Sequence, residues 1–138
     1  MNASSHVLQM MPDFIAKNEL MNLIGKLPVK VGTHIRFINL MNILYIQACG
    51  NYVDIATVSG EILHTKEQIA DIENRLPMSL FVRVHRSFII SKEHVKEIRS
   101  KQNDYEFTLV NDVTITSGST YKKDIRKQFL LSPDSERK

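Results

Sequence analysis

From Pro28 onward, apolar and polar positions alternate in short runs, the period expected of strands that bury one face. "RFINLMNILYIQA" is rich in β-formers, with a turn expected at Asn39–Asn42. "YVDIATV" alternates and runs into Ser59-Gly60, a two-residue hairpin signal, before "EILHT" returns. Because "CGN" turns the chain just upstream, residues 43–65 are predicted to form a three-stranded meander. The period then changes. In "TKEQIADIENRLP", Ile69, Ile72 and Leu76 recur at helical spacing, Thr65 offers an N-cap, Gln68 completes a capping box and Pro77 stops the helix. Its narrow apolar stripe suits packing on one edge of a sheet.

Strands are predicted again in "FVRV", "SFIIS", "VKEIRSK", "YEFTLV" and "VTITS", with tight turns at Asn103-Asp104 and Asn111-Asp112. "STYKKDIRKQFLL" reads as a closing helix on Tyr121, Ile125 and Phe129, with Ser119 or Thr120 as its N-cap. The expected fold is mainly β, with antiparallel strands, one short internal helix and a C-terminal helix. Residues 28–130 form the predicted domain and 131–138 a polar tail. Residues 1–27 stand apart as a linker or arm, with a short helix expected between Asp13 and Gly25.

"FVRVHRSFII", residues 81–90, breaks the apolar pattern with three basic side chains. Read as one continuous strand, it sets Arg83 and His85 on the face opposite Arg86. Arg83 is then expected in a structural ion pair or on a phosphate, and Arg86 is the first candidate for a base contact, ahead of a pairing with a carboxylate such as Glu93. His85 fits either an architectural hydrogen bond or a phosphate contact. "GNYVD" and "SGSTYKK" also place donors at strand ends, where binding residues concentrate. Lys92 and Lys122 are candidate phosphate partners; Lys123, Arg126 and Lys127 fit a solvated helix face equally well.

Charge sharpens this picture. The chain has 138 residues and a formal net charge of +3. Between Phe81 and Lys127 there are ten lysines and arginines against six acids, a local excess of four, while residues 28–80 carry four bases and five acids. A basic C-terminal half suits a polyanionic partner. The single cysteine, Cys49, excludes an internal disulfide framework. No apolar run is long enough to span a membrane, and the first residues lack the pattern of a secretory signal, so a cytoplasmic protein is expected. Phosphate-loop, nucleophile-elbow and paired-histidine motifs are absent, so neither an enzyme nor a cofactor is expected.

The ordered set "ILYIQACGNYVDI", "LHTKEQIADIENRLPMSLFVRVHRSFIIS", "VKEI" and "ITSGSTYKKDI" resembles the LytTR-type DNA-binding domain of bacterial transcription regulators, over roughly Val29 to Phe129. The resemblance implies stacked antiparallel β-sheets with small helices, and loops rather than a recognition helix entering successive major grooves. Carried over to this chain, the DNA-facing positions are Asn51 with Tyr52, Arg86 with His85, and the turn Ser119–Lys123. Where the family pattern has "Ser-Arg-Ser-Tyr", this chain has Ser117-Gly118-Ser119-Thr120-Tyr121, so base reading at the third loop falls to Ser119 or Lys122 or is weakened. The resemblance further implies a sequence-specific regulator that binds double-stranded DNA at paired direct repeats as two protomers, often fused to a receiver domain. Twenty-seven residues before Pro28 are too few for such a domain, which leaves an effector domain or a stand-alone regulator controlled by a sensor or receiver partner. The rival expectation is a β-rich interaction module whose basic loops bind an acidic protein.

Overall fold

The computed structural model describes residues 25–132. Strands β1 (Lys26–Val31) and β2 (His34–Asn39) form an antiparallel hairpin. A five-stranded antiparallel sheet follows, built from β3 (Ile43–Cys49), β4 (Tyr52–Thr57), β5 (Ile62–Thr65), β6 (Phe81–His85) and β7 (Phe88–Ser91) in the spatial order β5-β4-β3-β7-β6. Helix α1 (Ile69–Arg75) connects β5 to β6. A third sheet holds β8 (Val95–Ser100), β9 (Tyr105–Leu109) and β10 (Thr114–Thr116), and α2 (Lys122–Phe129) closes the described chain. The predicted meander over 43–65 is present, as are the strands expected after α1.

Strand alternation, shifted once by the irregularity between Ile43 and Tyr45 in β3, divides the apolar residues of the central sheet between two cores. Ile46, Val53, Ile55, Leu63, Phe81 and Ile89 join Leu27, Val29 and Ile38 of the hairpin and Ile69 and Ile72 of α1. Leu44, Val82, Val84 and Ile90 join Tyr105, Phe107, Leu109 and Ile115 of the third sheet and Ile125 of α2. The molecule is therefore layered, with the five-stranded sheet in the middle. Each fully buried aliphatic or aromatic side chain contributes roughly 1.5–3 kcal/mol of transfer free energy, which is what ties the outer layers to the inner one. On the hairpin's flank Arg36 grips both carboxylate oxygens of Glu61, at 2.7 and 3.1 Å, and holds that carboxyl below its usual range.

Four expectations change. Strand β1 starts at Lys26, so Leu27, placed in the preceding arm by the sequence pattern, is a core residue. Thr65 does not cap α1, because it is the last residue of β5, paired with Val53; Gln68 occupies the cap position without a side-chain bond. At Ser59-Gly60 the Thr57 amide donates to the Glu61 carbonyl at 3.0 Å, leaving Val58, Ser59 and Gly60 as a loop one residue longer than expected. The closing helix begins as a 3-10 turn over Ser119–Tyr121, and neither Ser119 nor Thr120 supplies a side-chain cap. The helix expected before Gly25 lies outside the described residues. Among the described residues no helix is long and apolar enough to cross a membrane.

Candidate nucleic-acid interface

Residues 81–90 are a hairpin, not one strand. His85 and Phe88 are the last pair of β6 and β7, and Arg86 and Ser87 form the turn between them. Arg83 builds this turn. Its Nε donates to the His85 carbonyl at 2.9 Å, one terminal nitrogen donates to the Arg86 carbonyl, and the other meets Glu73 Oε1 of α1 at 2.6 Å. The Ser87 amide donates to His85 Nδ1 at 3.0 Å, and the Ser87 carbonyl accepts from the Ala48 amide at 2.8 Å. The turn is thus fixed from three sides. Arg86 itself is exposed and makes no ion pair among the described residues. Glu93, offered above as its partner, follows β7 at the strand's other end.

The β3–β4 turn lies at the same end of the sheet. Gly50 has φ +63°, the left-handed conformation that glycine adopts without a Cβ penalty, and the two-residue turn Gly50-Asn51 presents Asn51 to solvent. Tyr52 is 40% exposed and stacks on His64, with centroids 4.5 Å apart and rings 12° from parallel. His64 Nδ1 meets Asp54 Oδ1 at 2.5 Å, and the Cys49 thiol lies 3.5 Å from Asp54 Oδ2. Burial, then the Asp54 carboxylate, push the Cys49 thiol up, which disfavours the reactive thiolate. The sequence pattern did not reveal His64.

The third loop docks against the second. The Gly118 amide donates to the Val84 carbonyl at 2.9 Å, and buried Ser117 accepts the Tyr105 amide at 2.9 Å. A methyl added at Gly118 would lie 3.2 Å from the Tyr121 ring and 3.7 Å from His85. Beyond this close approach Ser119, Thr120 and Lys123 are exposed. The strand order sets the sequence of loops along the sheet end: Tyr52 on β4, then Arg86 beside β7 and β6, then Ser119. With strands ~4.8 Å apart, this end is ~19 Å across, wider than the ~12 Å of a major groove.

Six of the eight expected residues, Asn51, Tyr52, His85, Arg86, Ser119 and Lys123, therefore sit at or beside one end of the central sheet. Lys122 and Lys92 do not join them. Lys122 is buried; its ammonium donates to the Lys101 and Gln102 carbonyls at 2.7 and 3.1 Å and lies 5.0 Å over the Tyr105 ring. Lys92 follows β7 at the end away from the loops, where its ammonium donates to Gln128 Oε1 at 2.7 Å and burial lowers its pKa. Both lysines hold structure together.

A family model described as the LytTr DNA-binding domain matches residues 33–130. The chain is 31% identical over 118 residues to the transcriptional regulatory protein LytR of Staphylococcus aureus, covering 85% of this chain and 48% of that protein. It is 31% identical over 103 residues to the sensory transduction protein LytT of Bacillus subtilis, covering 74% of this chain and 42% of that protein. The chain thus spans less than half the length of these relatives. A solved LytTr DNA-binding domain from Bacillus cereus superimposes with a TM-score of 0.68 at 20% identity, over 76% of this chain and 96% of that one.

Proposed function

The chain belongs to the LytTR DNA-binding family, and from that premise we propose that it is a sequence-specific transcriptional regulator that reads double-stranded DNA through the loops at one end of its central sheet. The observation that carries this reading is Arg86. Its turn is held by Arg83, His85 and the β3 backbone, so the guanidinium projects from a rigid base with no internal ion pair among the described residues. A bidentate arginine on guanine O6 and N7 discriminates by about 1–3 kcal/mol. Asn51 and Tyr52 on one side, and Ser119 with Lys123 on the other, extend the contact into neighbouring groove or backbone. His85 acts through the turn, since its Nδ1 accepts the Ser87 amide. Two protomers on paired direct repeats, acting in the cytoplasm under a sensor or receiver partner, complete the reading.

Selection from a random duplex pool at physiological salt tests it. Enrichment of two short direct repeats about one helical turn apart supports a two-protomer reader. In that case Arg86→Ala loses preference at one base pair of each repeat while keeping salt-dependent binding. Retention without any selected sequence removes the specificity claim. No retention, together with capture of an acidic protein, transfers the loops to the interaction-module reading.

A further inference from the structure

The sheet end carries a basic groove beyond the three loops. It opens between the β1–β2 turn and the β4–β5 edge, encloses about 500 Å³, and is bordered by Lys30 and Gly32 on one wall and by Tyr52, His64, Lys66 and Glu67 on the other. Strand β1 runs toward this end, since the Gly32 turn lies beside Tyr52 while Asn39 of β2 lines a hollow with Ser59 at the opposite end. Lys30 and Lys66 are exposed and make no ion pair among the described residues. Of the acids around it, Glu67, which lines the groove, pairs with Arg75 and Asp54 pairs with His64, while Asp71 lies in the adjoining hollow on the far side of Lys66. His64 Nδ1 is held by Asp54 and its ring stacks on Tyr52, so the histidine shapes the wall and the lysines supply the charge. Two ammonium groups without an ion pair among the described residues, and a phenol, around one open groove form a receptor for a single anion.

We propose that this groove seats a phosphate of the DNA backbone flanking the bases read by Arg86, making the β1–β2 turn a fourth contact element. The inference rests on the DNA-binding reading above. Its chemistry is that of affinity: lysine ammonium groups are point charges that hold phosphate without distinguishing bases. The groove is open and continuous with Tyr52, so a backbone can pass through it as the neighbouring turn meets the base edges. Asp71, exposed on the adjoining hollow that Lys66 shares with Asn51, Glu67 and Gln68, limits the basic strip on that side.

The test uses the whole chain and the duplex recovered by selection. Binding is followed by fluorescence anisotropy between 50 and 200 mM salt for the natural chain, the double variant Lys30→Gln/Lys66→Gln, and Lys26→Gln. Lys26 is a control because it lies four residues from Lys30 along β1, ~13 Å at strand spacing. Each lost phosphate contact lowers the magnitude of the slope of log K against log salt by about 0.9, so the double variant, which gives up one phosphate, is expected to lose about that much while Lys26→Gln keeps the natural slope. The selected sequence is expected to stay the same. Scanning single methylphosphonate substitutions along the duplex then locates the contact: one flanking position weakens the natural chain and not the double variant. An unchanged slope, or a methylphosphonate profile identical in both proteins, overturns this inference while leaving the function intact. Failure of the natural chain to select any duplex overturns the reading on which it rests.

Discussion

Arg83 and Arg86 are three residues apart and have opposite surroundings. All three directions of the Arg83 guanidinium are used inside the molecule, by Glu73 and by the His85 and Arg86 carbonyls, whereas Arg86 stands in solvent at the turn. Arg83→Ala removes charge-assisted bonds worth roughly 1.5–3 kcal/mol each when shielded. The partly exposed Glu73 contact contributes at the low end of surface pairs. The expected result is a stability loss of about 1–3 kcal/mol in urea denaturation and weaker DNA binding, because the Arg86 turn loosens. Arg83→Lys should not restore it, since a single ammonium cannot span the three acceptors. Lys122 makes the contrast sharper. Chain position and charge suit it to a phosphate, yet it is buried against the Lys101 and Gln102 carbonyls. Lys122→Ala is therefore expected to cost about 1–3 kcal/mol of stability and to leave the salt slope of DNA binding unchanged. A lowered slope with unaltered stability would return Lys122 to the interface.

At the scale of elements, alternation and turn residues predicted nearly every strand, and they failed where one residue decides a register. A two-residue turn at Ser59-Gly60 would set Ile55 opposite His64. The three-residue loop instead sets Asp54 opposite His64, and so creates the pair on which Tyr52 stacks. That single slip hid part of the site. "FVRVHRSFII" misled for a related reason: Arg-Ser is a turn without Gly, Asn or Pro, and it is held by Arg83 and His85 rather than by its own backbone preferences. The segment Ser91–His94 between β7 and β8 was equally unreadable as chemistry. There His94 Nδ1 lies 2.8 Å from Ser91 Oγ, and burial lowers the imidazole pKa, with Glu93 opposing. The folded chain then binds fewer protons than the unfolded chain as pH falls below the ordinary histidine value of ~6.5. Stability contributed by neutral His94 is accordingly present above that value and lost as pH falls through it. The urea midpoint is expected to drop between pH 7.5 and 5.5 by less in His94→Gln than in the natural chain. An equal drop in both would mean other groups set the acid dependence.

For the whole molecule, the decisive feature is that one sheet serves two cores. Ile46, Phe81 and Ile89 point into the core shared with the hairpin and α1, while Leu44, Val82 and Ile90 of the same strands point into the core shared with the third sheet and α2. No layer can melt without uncovering a face of the five-stranded sheet. The site depends on the same coupling, because its turns join strands of that sheet and its third loop is bonded to β6 through Gly118. Ile46→Ala empties the first core and Phe107→Ala the second, with costs of about 2–5 and 3–5 kcal/mol respectively. If the layers fold as a unit, both variants show one transition at lowered temperature, with calorimetric and spectroscopic midpoints coinciding. If the third sheet and α2 are an independent unit, Phe107→Ala alone splits the transition, and the lower step carries away the Ser119 loop while Tyr52 and Arg86 stay ordered. DNA binding measured between the two steps would then retain the contacts of Arg86 and lose those of the third loop. A single step is the expected result, and it makes the spacing between the three loops a property of the fold, set before any DNA is bound.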